Sequence, residues 1–529
     1  MNLNRRAFLQ KSSLGAIQLG LAALVYNQEW LQESTKNGLP RATPESQGIS
    51  SEQILRFVDA VEDNNLNVHS MMVLRNGRVV AEGWWEPYRP DLKHTLYSLS
   101  KSFTSTAIGM AVSEGRLKIE DTVLSFFPED RPVTVSENLR TMRVKDLLTM
   151  STGHDKDSTP SLRGNDDPNW VKSFLALPVE HVPGSFFVYN SGATFMLSAI
   201  IQKLTGKTVL EYLTPRLFEP LQITGSDWEV SPLGINTGGW GLRLKTEDIA
   251  KFGQLYLQQG SWNGQQLISK NWIIEATSPQ IMSKGGGRPM EENDWQQGYC
   301  YQFWRCRHNG YRGDGAFGQY CIVMPESNLV IAITSETADM QGIMDQAWKF
   351  LLPENNSPLS ADKYGNSSLK KRLEQLILKP AYISNTSPLS NSINGKKISL
   401  SENSLGIESV SLGFSPKKME MTIVDKNGTH PLTAGMGAWK NGLTDLPTLP
   451  LKLTSTLVPG ETTTQVAASA TWLDPSTVEL TLRFIETAHY EKIKCSFDQE
   501  NVTIEFKRSL AILSETNDPR PKLFGKVIS

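Results

Sequence analysis

An α+β fold followed by a separate all-β domain is what this 529-residue sequence predicts. Three observations carry the prediction. Hairpin patterns stand at both ends of the first two thirds, "SMMVLRNGRVVAEGWW" around an Asn76-Gly77 turn and "GQYCIVMPESNLVIAITSE", with helices alternating with loops between them up to about residue 278. After Pro353 the composition turns linker-like, in "PENNSPLSADKYGNSS" and "ISNTSPLSNSING". Beyond Gly395, runs such as "TVELTLRFIE" and "NVTIEFKRSLAIL" alternate apolar and polar residues, the pattern of a sandwich or barrel.

Composition agrees with this division. With 39% hydrophobic and 20% charged residues the chain is ordinary globular protein of two or three domains, and a formal charge of −2 with evenly mixed signs gives no nucleic-acid surface. Cys300, Cys306, Cys321 and Cys495 form no C-x-x-C pair and no metal-ligand spacing with the seven histidines, so neither a zinc site nor any cofactor is expected. Isolated packed thiols are the simpler reading, Cys300 and Cys306 being the nearest pair for a disulfide.

Element by element, residues 1–27 read as an export signal of the twin-arginine kind: Arg5 and Arg6 precede Phe8, Leu9 and an uncharged stretch from Ser12. Without an obvious small-x-small cleavage site, the segment is either removed or kept as a membrane anchor, which places the protein in the periplasm or cell envelope. "SEQILRFVDAVEDN" has helical spacing behind a Ser50/Ser51 cap. A short helix, "LKKRLEQLILK", interrupts a linker spanning 354–394, and 395–529 form the β domain. If that domain is independent, a chain cut near residue 355 stays soluble.

Between these landmarks lies "HTLYSLSKSFTSTAIGMAV", residues 94 to 112, with serines at 98, 100 and 102. Ser-x-x-Lys occurs also at Ser360, Ser367, Ser368 and Ser415, all in polar linkers or the β domain. Ser98 instead stands where a helix begins, and Lys101, nearly one turn on, lies over the same face. A buried lysine with a depressed pKa can take a serine's proton, and a helix N-terminus favours the negative charge that develops. In "PVEHVPGSFFVYNSGATFMLSAIIQKLTG", Tyr189 sits on a turn just before a helix starting near Gly192; a tyrosine near two cations holds its phenolic proton loosely and shares acid–base work. "YRGDGAFGQYCIVMP" contains G-x-G-x-x-G at Gly313, Gly315 and Gly318, but it opens a strand rather than a helix, so it is no dinucleotide fingerprint.

These three elements, in this order, resemble the serine hydrolases related to class C β-lactamases, penicillin-binding esterases and 6-aminohexanoate-dimer hydrolases. "SLSK" matches the first motif, "YNS" the second, and "DGAFGQY" the third; "VKDLLTMSTGH" and "GGWGLRLKTEDIAKFGQLYL" add similar context, and the likeness covers residues 40–353. The resemblance implies a β-lactamase/transpeptidase-like fold: an antiparallel sheet flanked by helices plus an all-helical lobe. It implies Ser98 as nucleophile, Lys101 as its partner, Tyr189 in acid–base chemistry, Ser191 as the polar third position, and Asp314 and Gly315 on the substrate-binding strand. The oxyanion donors implied are the N–H groups of Ser98 and Ala316. The implied reaction is acyl transfer on a small ester, amide or peptide.

Two rival readings fare worse. A Ser-His-Asp hydrolase lacks any G-x-S-x-G elbow, and an inactive binding protein would have lost a motif residue that this chain keeps. One departure bears on substrate: where relatives carry lysine or histidine in the third motif, this chain has Asp314. A substrate carboxylate there meets a like charge, unless Arg312 on the same strand face restores a positive site, so neutral or amine-bearing esters and amides are expected over β-lactams and D-Ala-D-Ala peptides, with β-lactamase or D-alanyl-D-alanine carboxypeptidase/D-aminopeptidase-like activity as the alternative.

Overall fold

The computed structural model describes residues 38–285, 287–354, 357–446, 453–454 and 456–528. The twin-arginine reading falls on residues outside these. The first element, helix α1 (Ser51–Asp63), is capped by Ser50, whose side chain accepts from the Gln53 amide while the Gln53 side chain accepts from the Ser50 amide. Strands β1 (Val68–Arg75) and β2 (Arg78–Trp84) turn through Asn76 and Gly77, both at positive φ, 52° and 74°.

Four later strands complete the sheet: β3 (Trp304–Arg305), β4 (Tyr311–Gly315), β5 (Gln319–Met324) and β6 (Leu329–Ser335), in the order β2-β1-β6-β5-β4-β3 and antiparallel throughout. Alternation sends Met72, Leu74, Val330 and Ala332 to one face and Met71, Val73, Ile331 and Ile333 to the other. The second face packs on α1 and on a helix over Met340–Phe350. The first faces a helical lobe built around α2 (Ser100–Ser113), α3 (Ser191–Thr205) and α4 (Thr246–Leu257).

Helix α2 is buried on nearly every side despite its hydroxyls, because each of several finds a partner. Ser102 bonds the Gln302 carbonyl at 2.9 Å, Thr104 the Gly238 carbonyl at 2.9 Å and Thr106 the Tyr256 hydroxyl at 2.7 Å. All four cysteines are buried free thiols.

The segment after Pro353 carries a helix over Lys363–Leu373, slightly earlier than the sequence pattern places it, and does not hang free. Leu369 and Leu376 are buried against the α1 side of the sheet, and Ile393 enters the core of the β domain. That domain is a barrel. Nine strands, from Lys397–Leu400 through Leu523–Ile528, pair in one circuit that closes where Gly435 and Met436 lie parallel to Ser469 and Ala470. A tenth, Lys440–Thr444, continues along the same strand, Thr464–Asp474. The interior is filled by apolar side chains, Trp472 and Leu480 among them.

The barrel is joined to the hydrolase-like domain by more than its tether. Tyr88 and Leu92 share a buried apolar cluster with Ala467 and Ile485. Arg483 from the barrel pairs at 2.6 Å with buried Glu336, and Arg243 pairs at 2.6 Å with Glu461. The Thr95 amide donates to the Glu486 carbonyl at 2.8 Å. This seam lies directly behind the residues that lead into Ser98.

Candidate active site

Ser98 occupies a 3-10 turn, Tyr97–Leu99, that runs straight into α2. Tyr97 enters this turn at φ 48°, a left-handed conformation unusual for an aromatic residue, so the chain turns sharply at the serine. Lys101, one turn on, is 1% exposed, and its Nζ lies 3.0 Å from Ser98 Oγ, 3.0 Å from Ser191 Oγ and 2.7 Å from the Gly239 carbonyl. The lysines of the other four Ser-x-x-Lys matches, Lys363, Lys370, Lys371 and Lys418, are all exposed. Burial is therefore what separates the one motif from its copies.

Burial also sets its chemistry. Desolvation brings the Lys101 amine down from 10.5 to about 7, outweighing the opposite pull of Asp157 and Asp314. Near neutrality much of it is an uncharged amine. Its N–H groups are then taken by the Gly239 carbonyl and Ser191 hydroxyl, leaving the lone pair for the Ser98 proton.

Helix α3 begins at Ser191 under an Asn190 cap, whose side chain accepts from the Ala193 amide and from Ser158. The cap fixes Tyr189 just outside the helix, with its ring 5.3 Å from Trp304 and Lys101 Nζ 4.9 Å from its own centroid. It lines the same cleft as Ser98, whose side chain favours the ionised phenol slightly. Contrary to the loosely held proton read from the sequence, burial pushes this phenol well above its usual range, and Asp314 and Asp157 push it further. These shifts favour the protonated phenol at Tyr189.

The third motif lies on β4, with Gly313 and Gly315 in the strand and only Gly318, at φ 90°, in the turn after it. A Cβ on Gly315 would run into the Leu96 carbonyl oxygen and come within 3.1 Å of Tyr97 Cβ. The missing side chain lets the strand pass tightly against the nucleophile turn and brings Ala316 beside Ser98. Both line a cleft of about 580 Å³ with Tyr189, Trp295, Trp304, Asp314 and Gly315.

Asp314 is not the bare charge expected. Arg312 Nε bonds its carboxylate at 2.8 Å, and both side chains are buried, at 0% and 5% exposure. Nor does Arg312 offer a positive site to a ligand. It is itself fully buried: Nη1 goes to the carbonyls of Asp294 and Arg305 and to Cys306 Sγ, and the Trp295 ring lies 4.5 Å away, while Nη2 has no hydrogen-bond partner among the described residues. The two charges cancel inside the strand.

Sequence reading did not pick out Asp157, the Gly239 carbonyl, Gln302 or Arg312's commitment to Asp314. Asp157 accepts from the Ser191 amide at 3.0 Å, and Gln302 joins Thr194 on α3 to the carbonyls of Leu147 and Leu148. Among the described residues no three His, Cys, Asp or Glu side chains come together as metal ligands, and no helix is long and apolar enough to cross a membrane.

A serine hydrolase of the β-lactamase/transpeptidase class is the kind of protein that this sheet, helical lobe and site define. The chain belongs to the Beta-lactamase family, whose profile matches residues 56–352. It is similar to a 6-aminohexanoate-dimer hydrolase of Paenarthrobacter ureafaciens, 25% identical over 51% of this chain and 73% of that one. It is also similar to Protein flp of Staphylococcus aureus strain MW2, 26% identical over 29% of this chain, and spans only 33% of that protein's length. Among solved structures, an octameric penicillin-binding protein homologue from Pyrococcus abyssi aligns over 89% of this chain and 99% of its own, with 15% identity and a TM-score of 0.46.

Proposed function

We propose that this chain is a Ser-x-x-Lys hydrolase that cleaves a linear ester or amide through an acyl-enzyme on Ser98, with β-lactams as poor substrates. The observation that carries the reading is the buried Lys101 amine, held near neutrality 3.0 Å from Ser98 Oγ. Ser98 Oγ attacks the carbonyl carbon and its proton passes to Lys101 Nζ. The oxyanion is received by the N–H groups of Ser98 and Ala316, a type of contact worth about 10²–10³ in rate per donor. Collapse breaks the bond to the leaving group, which takes a proton from Tyr189, restored by the Lys101 ammonium. Water then attacks the acyl carbon by the same route, giving up a proton to Lys101, which passes it to Ser98 Oγ as the bond to the acid breaks.

The substrate reading rests on the third motif. The strand position that would present a cation to a carboxylate holds Asp314, and Arg312 is buried behind it with Nε bonded to that carboxylate. Similarity to a 6-aminohexanoate-dimer hydrolase supports a target other than a β-lactam, and Trp295, Trp304 and Tyr189 give the cleft an apolar wall, with Lys284, Arg288 and Asp339 also lining it. The experiment is a comparison of kcat/KM for a p-nitrophenyl ester, a neutral anilide and a cephalosporin. The ester or anilide should exceed the cephalosporin; efficient cephalosporin hydrolysis would overturn the substrate class.

Export is part of the same proposal, supported by Arg5 and Arg6 ahead of an uncharged stretch. Replacing both arginines by lysine should leave the protein in the cytoplasm, and normal export of that variant would contradict it.

A further inference from the structure

We propose that His489, supplied by the C-terminal barrel, is a positioning residue for the reaction at Ser98. It acts through Tyr97 on the turn that aims the nucleophile and through Phe317 on the turn that carries Ala316. The inference rests on Ser98 being the nucleophile.

Three rings meet between the domains. The Tyr97 hydroxyl is hydrogen-bonded to His489 Nε2, Tyr97 and Phe317 pack edge-on at 5.5 Å, and Phe317 and His489 do so at 5.3 Å. Tyr97 precedes the nucleophile and Phe317 follows the oxyanion residue. Both have backbones in the left-handed region, φ 48° and 67°, which a side chain with a Cβ adopts only when its surroundings hold it there. Burial raises the Tyr97 phenol well above its usual range, so it keeps a proton to donate to Nε2. In the tautomer that accepts at Nε2, the His489 proton sits on Nδ1, 3.1 Å from Ser509 Oγ within the barrel.

The histidine is itself fixed. It is 2% exposed, and its amide donates to Thr487 Oγ1 at 3.0 Å. The barrel turn that carries it is bound to the other domain on either side, by the Thr95 amide on the Glu486 carbonyl at 2.8 Å and the Tyr88 hydroxyl on the Thr487 carbonyl at 3.3 Å. Two unfavourable backbone conformations flanking the reacting atoms thus share one side chain of the barrel, 392 positions from Tyr97 in sequence. The hydrogen bond sets the position of Tyr97, and edge-on packing passes that constraint to Phe317.

The test uses the full chain, with a fluorophosphonate probe for acylation and a p-nitrophenyl ester for turnover, rates being expressed per folded molecule from near-ultraviolet circular dichroism. His489→Phe and Tyr97→Phe should each lower kcat and the acylation rate by about tenfold or more with KM nearly unchanged, and the double variant should lose little beyond either. His489→Gln, whose Oε1 can accept the Tyr97 proton, should recover most of the rate. If His489→Phe does not fold, Tyr97→Phe, which deletes one oxygen on the other side of the seam, carries the test. Wild-type kcat in either folded variant overturns the role, as does a loss that His489→Gln shares in full. Turnover by Ser98→Ala would overturn the nucleophile assignment and this role with it. An inactive Ser98→Ala beside a fully active Tyr97→Phe would overturn the positioning role alone.

Discussion

Arg312 and Asp314, two residues apart on one strand, form a buried ion pair of 2.8 Å at the edge of the nucleophile. The pair explains why the third motif can carry an aspartate: its charge is balanced within the strand, in a cleft that Trp295, Trp304 and Tyr189 line together with Lys284, Arg288 and Asp339. A buried pair of this kind is more sensitive to the loss of one partner than to the loss of both.

Asp314→Asn should therefore destabilise the fold by about 3–5 kcal/mol, because the Arg312 cation is left buried without its carboxylate. Chemical denaturation measures this, and restoring neutrality with Arg312→Met in the same chain should recover part of the loss. A change below about 1 kcal/mol in Asp314→Asn would mean that the pair is not structural.

Ser100, two residues from the nucleophile, serves packing. Its Oγ accepts from the buried Leu242 amide at 3.1 Å. Ser100→Ala should cost about 1–3 kcal/mol of stability through the unpaired amide, while acylation per folded molecule stays near wild type. Loss of acylation in a well-folded Ser100→Ala would reassign the chemistry.

How much of this was legible in the sequence follows from the range of each interaction. Ser98 and Lys101 were legible because one helical turn sets their spacing, whereas Tyr189 and Ser191 stood out through the resemblance of "YNS" to the family's second motif. Arg312 and Asp314 were visible as neighbours on a strand face, but whether they faced a ligand or each other depended on Trp295 and Trp304 closing over them. Nothing local marks Asp157 or the Gly239 carbonyl as neighbours of Lys101. The same holds for the barrel. Alternation predicts strands equally for a sandwich, and closure hangs on the short parallel contact of Gly435 and Met436 with Ser469 and Ala470. The composition of 354–394 reads as a linker, yet a few leucines in it suffice to dock the segment.

Lys101 should give the reaction its pH dependence. The acylation rate should rise with pH through about 7 as the amine loses its proton. In the folded chain that pKa lies below the ordinary 10.5, so between the two values the unfolded chain binds the extra proton and stability rises with pH. Lys101→Met, lacking that titration, should lose acylation, and its stability relative to wild type should be greatest near pH 6 and decline toward pH 10. A stability difference independent of pH would show that the amine is not depressed. Tyr189→Phe added to Lys101→Met should cost little more in rate, because the two serve one proton path.

Removal of the barrel should not leave a working enzyme. A chain ending near residue 355 uncovers Tyr88 and Leu92 and strands Glu336, whose carboxyl is held below its usual range despite burial chiefly by Arg483. It should aggregate or acylate far more slowly than the full chain, as sedimentation and probe labelling would report. A soluble, fully active fragment would make the barrel dispensable.

The most direct measurement is mass spectrometry of the full-length protein after brief exposure to a fluorophosphonate or a chromogenic ester, with the modified peptide sequenced. The account predicts a single acyl or phosphonyl adduct on Ser98, faster to form as pH rises through about 7 and absent from Ser98→Ala. An adduct on any other residue, or unchanged turnover in Ser98→Ala, would contradict it.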